Sequence, residues 1–314
     1  MFITTLNQMG VLALFILLGF TVAKCKILPD NAAQTLSKLV NTLFIPALIL
    51  ETFITTFTVE TLSASWKMML FSFAAALLVI PVAILVAKLV TKDKYEQKIY
   101  TYGLSFSNFG FMGIPVVAAL FSKYATEYII FTMPLWILIY AWGAPKLLMG
   151  EEGQGLKETF KSFINPMFLS LIVGAILGIL NFGAYMPPFS MTVLTSLADC
   201  MSPVAMLVTG ITFSKIDFKK VFLSWGIYVV SAVRLIVLPA LFAGLYILLE
   251  RVLSVSFPKY YFVSLVCLLA MPLGLNTIVI PAAYGKDTSV AAGMAMISHV
   301  LAVGSIPLML WMFL

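Results

Sequence analysis

The 314-residue sequence predicts an all-α integral membrane protein, and three observations support that fold class. Hydrophobic residues make up 62% of the chain and charged residues 10%, and the mean hydropathy is +1.07, whereas soluble globular proteins carry about 25% charged residues. The apolar residues fall into runs of about 20, the length of helix that crosses a bilayer. The two halves of the chain also repeat the same landmarks. We therefore predict ten transmembrane helices, arranged as a 5+5 inverted repeat with broken crossover helices in spans four and nine.

The apolar runs divide the chain into two repeats and a linker. Residues 1–149 form the first five-helix repeat, residues 150–162 a short, glycine-rich cytoplasmic linker, and residues 163–314 the second, inverted repeat. The ten predicted spans are Leu6–Ala23, Ala32–Phe53, Met68–Leu89, Ile99–Phe121, Tyr128–Leu148, Phe163–Asn181, Phe189–Phe213, Val221–Leu249, Tyr260–Tyr284 and Ser289–Phe313.

The distribution of basic residues predicts the orientation in the membrane. Thirteen lysines fall in the odd-numbered loops, beginning with Lys24 and Lys26, whereas the even-numbered loops hold four basic residues. Cytoplasmic loops carry the excess of Lys and Arg. We therefore expect a multi-pass protein of the cell membrane with both termini on the extracytoplasmic side. This topology explains the net charge of +6, so no nucleic-acid partner is expected.

The internal repeat is visible in three landmarks that keep their order along the chain. They are Pro46 with Pro203, Pro81 with Pro239, and Asn108 with Asn276, at offsets of 157, 158 and 168 residues. Prolines are common in membrane helices, so one match alone means little. Three matches in register indicate a repeat, and because each copy has five spans, the second copy enters the membrane from the opposite side.

Two stretches interrupt otherwise apolar spans, Ser105–Pro115 in span four and Met271–Pro281 in span nine. Glycine costs backbone entropy and proline removes an N–H, so neither stretch makes a good continuous helix. In lipid such a break persists only where protein or a water-filled cavity covers the freed backbone groups. Interrupted helices at corresponding positions of two halves point to the binding site of a secondary transporter. We assign the crossover to Pro115, Pro272 and Pro281.

The residues at this crossover are the predicted substrate ligands. Half-helix N-termini direct unpaired N–H groups and a positive dipole end into the cavity, which favours an anion. Asn108 and Asn276 each add an amide with two donors and an acceptor, which can bind a carboxylate without a permanent charge. Gly110, Gly113 and Thr277 belong to the same predicted site. The alternative is that each asparagine only caps its half-helix.

Three ionisable residues lie within spans, where polar groups are costly. Arg234 is a candidate ligand for a second carboxylate of the substrate, and Asp199 or His299 is a candidate for proton uptake. The alternatives are that Asp199 pairs with Arg234, that these side chains bond to backbone freed by prolines, or that His299 is a packing residue. Coupling to protons and coupling to sodium both stay open.

No other chemistry is indicated by the sequence. It contains no glycine-rich phosphate loop, no HExxH-type zinc motif and no paired aspartates of the kind that bind magnesium diphosphates. An intramembrane enzyme would need a cluster of nucleophile, base or metal ligands, and one histidine with scattered acids supplies none. We therefore expect no enzymatic activity, no cofactor and no metal site. A passive channel is a further alternative, distinguishable by non-saturating flux.

Three segments resemble a known family. The stretch from Ser107 to Pro115 is similar to the Ser-Asn-x-Gly-x-x-Gly-x-Pro motif of the auxin efflux carrier family. Asn165-Pro166, at the start of span six, and the run from Ser202 to Gly210 in span seven are also similar to that family. The resemblance covers essentially the whole chain. It places the family's crossover asparagines at Asn108 and Asn276 and its crossover prolines at Pro115 and Pro281.

The resemblance implies a ten-span inverted repeat that works as an elevator. Spans one, two, six and seven would form a scaffold through which two copies dimerise, and the other spans would form the moving body. Substrates across the family are organic anions, namely indole-acetate-type auxins in plants and malonate, malate or related carboxylates in bacteria.

This chain lacks the large central hydrophilic loop of the plant members, which favours the bacterial malonate- or malate-type carboxylate branch. The resemblance thus implies a secondary transporter of small organic anions. The alternatives are an auxin-like monocarboxylate efflux carrier and a sodium/proton antiporter of similar shape. The sodium/proton antiporter hypothesis is less favoured, because such carriers typically need acidic residues beside the crossover and this chain has asparagines there.

Overall fold

In the computed structural model, which describes residues 2–149 and 165–314, the chain is helical almost throughout, and the all-α prediction is confirmed for these residues. The linker predicted at 150–162 lies outside the described residues. In chain order the helices are α1 Phe2–Lys24, α2 Ala32–Thr56, α3 Val59–Val90, α4 Lys94–Ser105, α5 Phe109–Leu120, α6 Ser122–Met149, α7 Pro166–Ile179, α8 Pro188–Phe213, α9 Phe218–Leu223, α10 Trp225–Leu253, α11 Lys259–Ala270, α12 Asn276–Ala283 and α13 Ser289–Phe313.

Six helices of the described chain are long and apolar enough to cross a bilayer, namely α2, α3, α6, α8, α10 and α13. Shorter apolar helices are the part of α1 from Gly10 onward, α5, α7 and α11. The regions predicted as spans four and nine each contain two helices. In the first, α4 ends at Ser105 and α5 begins at Phe109; in the second, α11 ends at Ala270 and α12 begins at Asn276.

Capping side chains set two helix starts that hydropathy alone places differently. Helix α3 begins at Val59 rather than Met68, because the Thr58 hydroxyl accepts a hydrogen bond from the Thr61 N–H at 3.1 Å. Helix α7 begins at Pro166, where proline is tolerated because its missing N–H would be unpaired anyway. The Asn165 side chain caps this helix. The predicted span eight is divided into α9 and α10.

Three prolines follow a π-helical turn. The π-helical turns that precede prolines are Val40–Phe44 before Pro46, Phe109–Gly113 before Pro115, and Val233–Val237 before Pro239. Each of these turns ends two residues before its proline. A proline has no N–H to donate and its ring clashes with the carbonyl four residues back, so the preceding turn opens.

Helices α1 and α8 pack at very short distance through glycines. A Cβ atom at Gly210 would collide with the backbone of Ile16 and Phe20, and a Cβ atom at Gly19 would collide with the backbone of Leu207. Small residues allow helix backbones to approach closely in membranes, where van der Waals packing drives association. Helices α2 and α7 pack in the same way, with Gly178 against the backbone of Phe53 and Phe57.

The two interrupted regions lie beside these pairs. The Asn41 amide of α2 donates to the Val279 carbonyl of α12 at 3.0 Å, which fixes α2 against the second interruption. Helices α3, α4 and α6 pack together, and α10, α11 and α13 pack on one another. The buried core therefore surrounds the residues at which the helices are interrupted.

We predict that Gly210→Ala destabilises the protein. The added methyl group has no room against the backbone of Ile16, so α1 and α8 must separate, at a cost of about 1–3 kcal/mol for overpacking. Thermal unfolding of the purified protein in detergent should show a lowered Tm. The matched control is Gly244→Ala in α10, where no heavy atom lies within 4 Å and the Tm should be unchanged or raised. Equal Tm values for the two variants would contradict the packing described.

Candidate functional site

The two interruptions lie against each other and satisfy part of each other's backbone. Ser107 and Leu273 form an antiparallel bridge, and the Asn108 N–H donates to the Pro272 carbonyl at 2.8 Å. The Ser107 hydroxyl donates to the Leu268 carbonyl of α11 at 2.7 Å. Buried backbone groups need partners, and in a membrane water does not supply them. The contact between the interruptions supplies them instead.

Arg234 of α10 joins the ends of the two helices that lead into the interruptions. Its side chain is 1% exposed. The guanidinium donates to the Leu104 carbonyl of α4 at 2.9 Å, and to the Leu268 and Met271 carbonyls at the end of α11 at 2.9 and 3.2 Å. Helix C-termini carry partial negative charge, so one buried cation stabilises both ends. Because the guanidinium is used in these bonds, the structure does not place it as a ligand for a second carboxylate of the substrate, which was its predicted role.

A small cavity lies at the starts of α5 and α12. It is bordered by residues 106–111 and 274–276 of the two interruptions, by Tyr102, Trp136, Ile139 and Tyr140, and by Met201 of α8. About 30 Å³ is open to the centre of a water-sized sphere, which is room for about two water molecules. A carboxylate enters this cavity only when its walls move apart.

Asn108 and Asn276 both border this cavity, and neither side chain caps its own helix. The Asn108 side chain is 2% exposed, and its Nδ2 lies 3.1 Å from Nε2 of His299. The Asn276 Nδ2 donates to the Tyr102 hydroxyl at 3.1 Å, while its Oδ1 is buried without a hydrogen-bond partner. The capping alternative therefore does not describe these side chains. An unsatisfied buried carbonyl costs about 1–3 kcal/mol.

The other predicted crossover residues are placed differently. Gly110 borders the cavity near Trp136, whereas Gly113 does not, because it lies against the Tyr128 hydroxyl. The Thr277 hydroxyl is buried and donates to the Gly274 carbonyl at 2.8 Å, so it is used within the chain. Pro115 and Pro281 lie within α5 and α12, and Pro272 contributes the carbonyl that accepts from Asn108.

Of the two candidates for proton uptake, His299 contacts a residue of the cavity and Asp199 does not. His299 reaches the site through its contact with Asn108, and its Nδ1 lies 2.8 Å from the Ala295 carbonyl one turn earlier in α13. Asp199 is exposed on α8 and does not border the cavity. The alternative that Asp199 pairs with Arg234 is wrong, since the guanidinium donates to three backbone carbonyls.

Sequence reasoning missed the aromatic walls of the cavity. Trp136 and Tyr140 lie one turn apart on α6 with ring centroids 6.0 Å apart, and Phe109 meets the Trp136 ring edge-on at 5.8 Å. Tyr102 and Phe106 have ring centroids 5.0 Å apart. The sequence did contain one signal, namely that Trp136 and Tyr140 are four residues apart and therefore share a face of α6. Apolar spans contain many such aromatic pairs, so this spacing alone did not indicate a binding site. Within the described residues, no three His, Cys, Asp or Glu side chains form a cluster that could hold a metal ion.

We predict that Arg234→Met strongly destabilises the protein. The substitution leaves the buried Leu104 and Met271 carbonyls without the Arg234 donor, while the Leu268 carbonyl keeps only the Ser107 hydroxyl, at about 1–3 kcal/mol for each unsatisfied group. Thermal unfolding in detergent should show a large drop in Tm or a loss of folded protein. Arg251→Met is the matched control, because Arg251 is the other arginine of the chain, is exposed, and should change stability by less than about 0.5 kcal/mol. Similar stability of both variants would contradict the role of Arg234.

Comparison with known proteins is consistent with this architecture. Residues 5–310 match the model of a family described as Membrane transport protein, which covers nearly the whole chain. Among curated proteins, none matches the sequence.

Proposed function

Because this chain belongs to the Membrane transport protein family, we propose that it is a secondary transporter of small organic anions with its binding site at the crossing of the two interruptions. The observation that carries the proposal is that two helix N-termini and two asparagine side chains border one cavity. Such a site attracts an anion through the helix dipoles, and each amide would offer a donor once its NH₂ group turns towards the cavity. Carboxylates such as malonate or malate are the proposed substrates.

The proposed membrane arrangement has ten crossings in two inverted halves. The six long apolar helices and the four shorter ones each overlap one predicted span. The antiparallel bridge between Ser107 and Leu273 supports an inverted relation of the two halves, since the two interrupted segments run in opposite directions where they meet. We place the protein in the cell membrane with both termini outside, according to the lysine bias of the odd loops.

Alternating access by an elevator movement is the proposed mechanism. The cavity holds about two waters, so a carboxylate needs the walls to move apart before it can bind. Glycine-mediated contacts bind α1 to α8 and α2 to α7, which suits these helices to a fixed scaffold. A homodimer through these scaffold helices is part of the same proposal. The crossing, with Arg234 holding α4 and α11 together, would move as one body.

A second candidate is a carrier of auxin-like aromatic monocarboxylates. Six aromatic residues border the cavity, and flat apolar ligands pack well against such walls. The sodium/proton antiporter is less favoured, because the residues that border the cavity include no carboxylate. The first experiment should therefore compare the uptake of malonate and malate with the uptake of indole-acetate.

We predict that Asn276→Ala weakens anion binding by about 10- to 100-fold, because a hydrogen bond to a charged group contributes about 1.5–3 kcal/mol. Asn276→Asp should weaken it further, since the new carboxylate repels the anion. The measurement is uptake of labelled mono- and dicarboxylates by the purified protein in liposomes, with and without proton and sodium gradients.

Asn108→Ala should reduce uptake in the same assay, while Asn31→Ala serves as a control. Asn31 precedes α2, is exposed, and makes no capping hydrogen bond with its side chain. Normal uptake by both Asn108→Ala and Asn276→Ala would remove the site assignment. Cation flux without an organic substrate, retained in Asn276→Asp, would favour the antiporter.

A further inference from the structure

The single histidine of the chain is held between a backbone carbonyl and a side-chain amide. Nδ1 of His299 lies 2.8 Å from the Ala295 carbonyl, and Nε2 lies 3.1 Å from Nδ2 of Asn108. A carbonyl only accepts, so Nδ1 carries a proton. An amide NH₂ only donates, so Nε2 presents its lone pair. The two partners together select the neutral ring with its proton on Nδ1.

We propose that protonation of His299 reverses the Asn108 amide and thereby changes the hydrogen-bonding group that Asn108 presents to the cavity from an acceptor to a donor. The inference rests on the proposed function, because it concerns how a proton is coupled to the anion at the same site. A proton added to Nε2 places an N–H opposite the Asn108 NH₂, and two donors cannot bond. The Ala295 carbonyl keeps the other proton on Nδ1, so the conflict is resolved by a half-turn of the amide.

The half-turn has opposite effects on the two sides of Asn108. Towards α13, Oδ1 of Asn108 accepts from the new Nε2–H, and this charge-assisted bond is stronger than the one it replaces. Towards the cavity, the NH₂ group takes the place of the carbonyl. A carboxylate is repelled by the carbonyl and bound by the NH₂. The proton also adds a positive charge beside the anion.

Around His299 there are few other groups that could bond to a proton on its ring. On its far side the ring borders a groove of about 170 Å³ whose other lining residues are apolar, among them Leu12, Ile16 and Phe213. No other residue of α13 is ionisable. Within the described residues, the helices packed against α13 bring no buried carboxylate to it.

The other ionisable groups on those helices are bonded elsewhere, buried, or at least partly exposed. Arg234 of α10 donates to three carbonyls, Cys267 of α11 is buried, and Tyr102 of α4 accepts from Asn276. Asp199 of α8 is exposed, and so are Lys24 of α1 and Lys219 of α9. Helices α5 and α12 contain no ionisable side chain. Asn108 is therefore the polar side chain that bonds to the ring of His299.

Proton and anion binding are then linked with a definite sign. Each stabilises the other by the same factor, because coupling between two binding sites is reciprocal. Anion affinity should fall as the pH rises, by up to about tenfold per pH unit where the ring is mostly neutral, since one proton is taken up with each anion. An inward proton gradient would drive anion uptake.

The first test reads the ring directly in the wild-type protein. Because the chain has one histidine, selective ¹⁵N labelling gives one pair of imidazole signals in the NMR spectrum of the protein in detergent. We expect the proton on Nδ1 at alkaline pH, and a second proton on Nε2 when malonate is added at lower pH. A neutral ring with its proton on Nε2 would overturn the inference.

The second test measures proton uptake when malonate, malate or indole-acetate binds to the purified protein in weakly buffered solution. Wild type should take up about one proton per anion. His299→Gln keeps a polar group at the position but does not titrate, so it should bind with a flat pH profile and no proton uptake. Ser298→Ala is the control: its hydroxyl donates to the same Ala295 carbonyl at 3.1 Å, and the variant should retain proton uptake.

The outcomes separate the two proposals. Anion binding without proton uptake in wild type, or unchanged pH dependence in His299→Gln, overturns the amide reversal and leaves the transporter proposal standing. Absence of binding by every anion of the panel overturns the proposed function and this inference with it. Proton uptake that disappears in His299→Gln and persists in Ser298→Ala supports the inference.

Discussion

The hydrogen bonding between the two interrupted segments is the constraint on which the rest of the structure depends. A helix that stops inside a membrane leaves backbone donors and acceptors that water does not reach, and each unsatisfied group costs several kcal/mol in hydrocarbon. Here the Asn108 N–H bonds to the Pro272 carbonyl, and Ser107 bridges to Leu273. Each interruption is thus a partner that the other requires, which keeps them together in the core.

Where the two interrupted segments meet, the C-terminal ends of two helices and the N-terminal ends of two others lie at different places. The C-terminal ends of α4 and α11 meet at Arg234, whose guanidinium donates to carbonyls of both. The N-terminal ends of α5 and α12 meet at the cavity, with no acidic residue on its border. Negative dipole ends are thereby matched by a buried cation, while positive ends remain at the cavity. This polarity makes the cavity suited to an anion and gives Arg234 a structural role.

The cavity's two amides are held by different partners, and the difference matters for the proposed chemistry. Asn276 bonds to the Tyr102 hydroxyl, a group that both donates and accepts and tolerates either amide orientation. Asn108 bonds to His299, whose ring can only accept at Nε2 while it is neutral. One amide is therefore sensitive to protonation and the other is not. The aromatic walls around them restrict the space, so binding requires a movement that opens the site.

The sequence alone determined the all-helical class, the long apolar helices and the two places where a helix could not continue, because hydropathy, glycine and proline act locally. It also singled out Asn108, Asn276 and His299, since polar groups in apolar runs are few. Only the tertiary structure decided which of these meet: that Arg234 binds carbonyls and not Asp199, and that His299 faces Asn108. Those outcomes depend on contacts between residues up to 191 positions apart, and no local pattern encodes which partners the packing of helices will bring together.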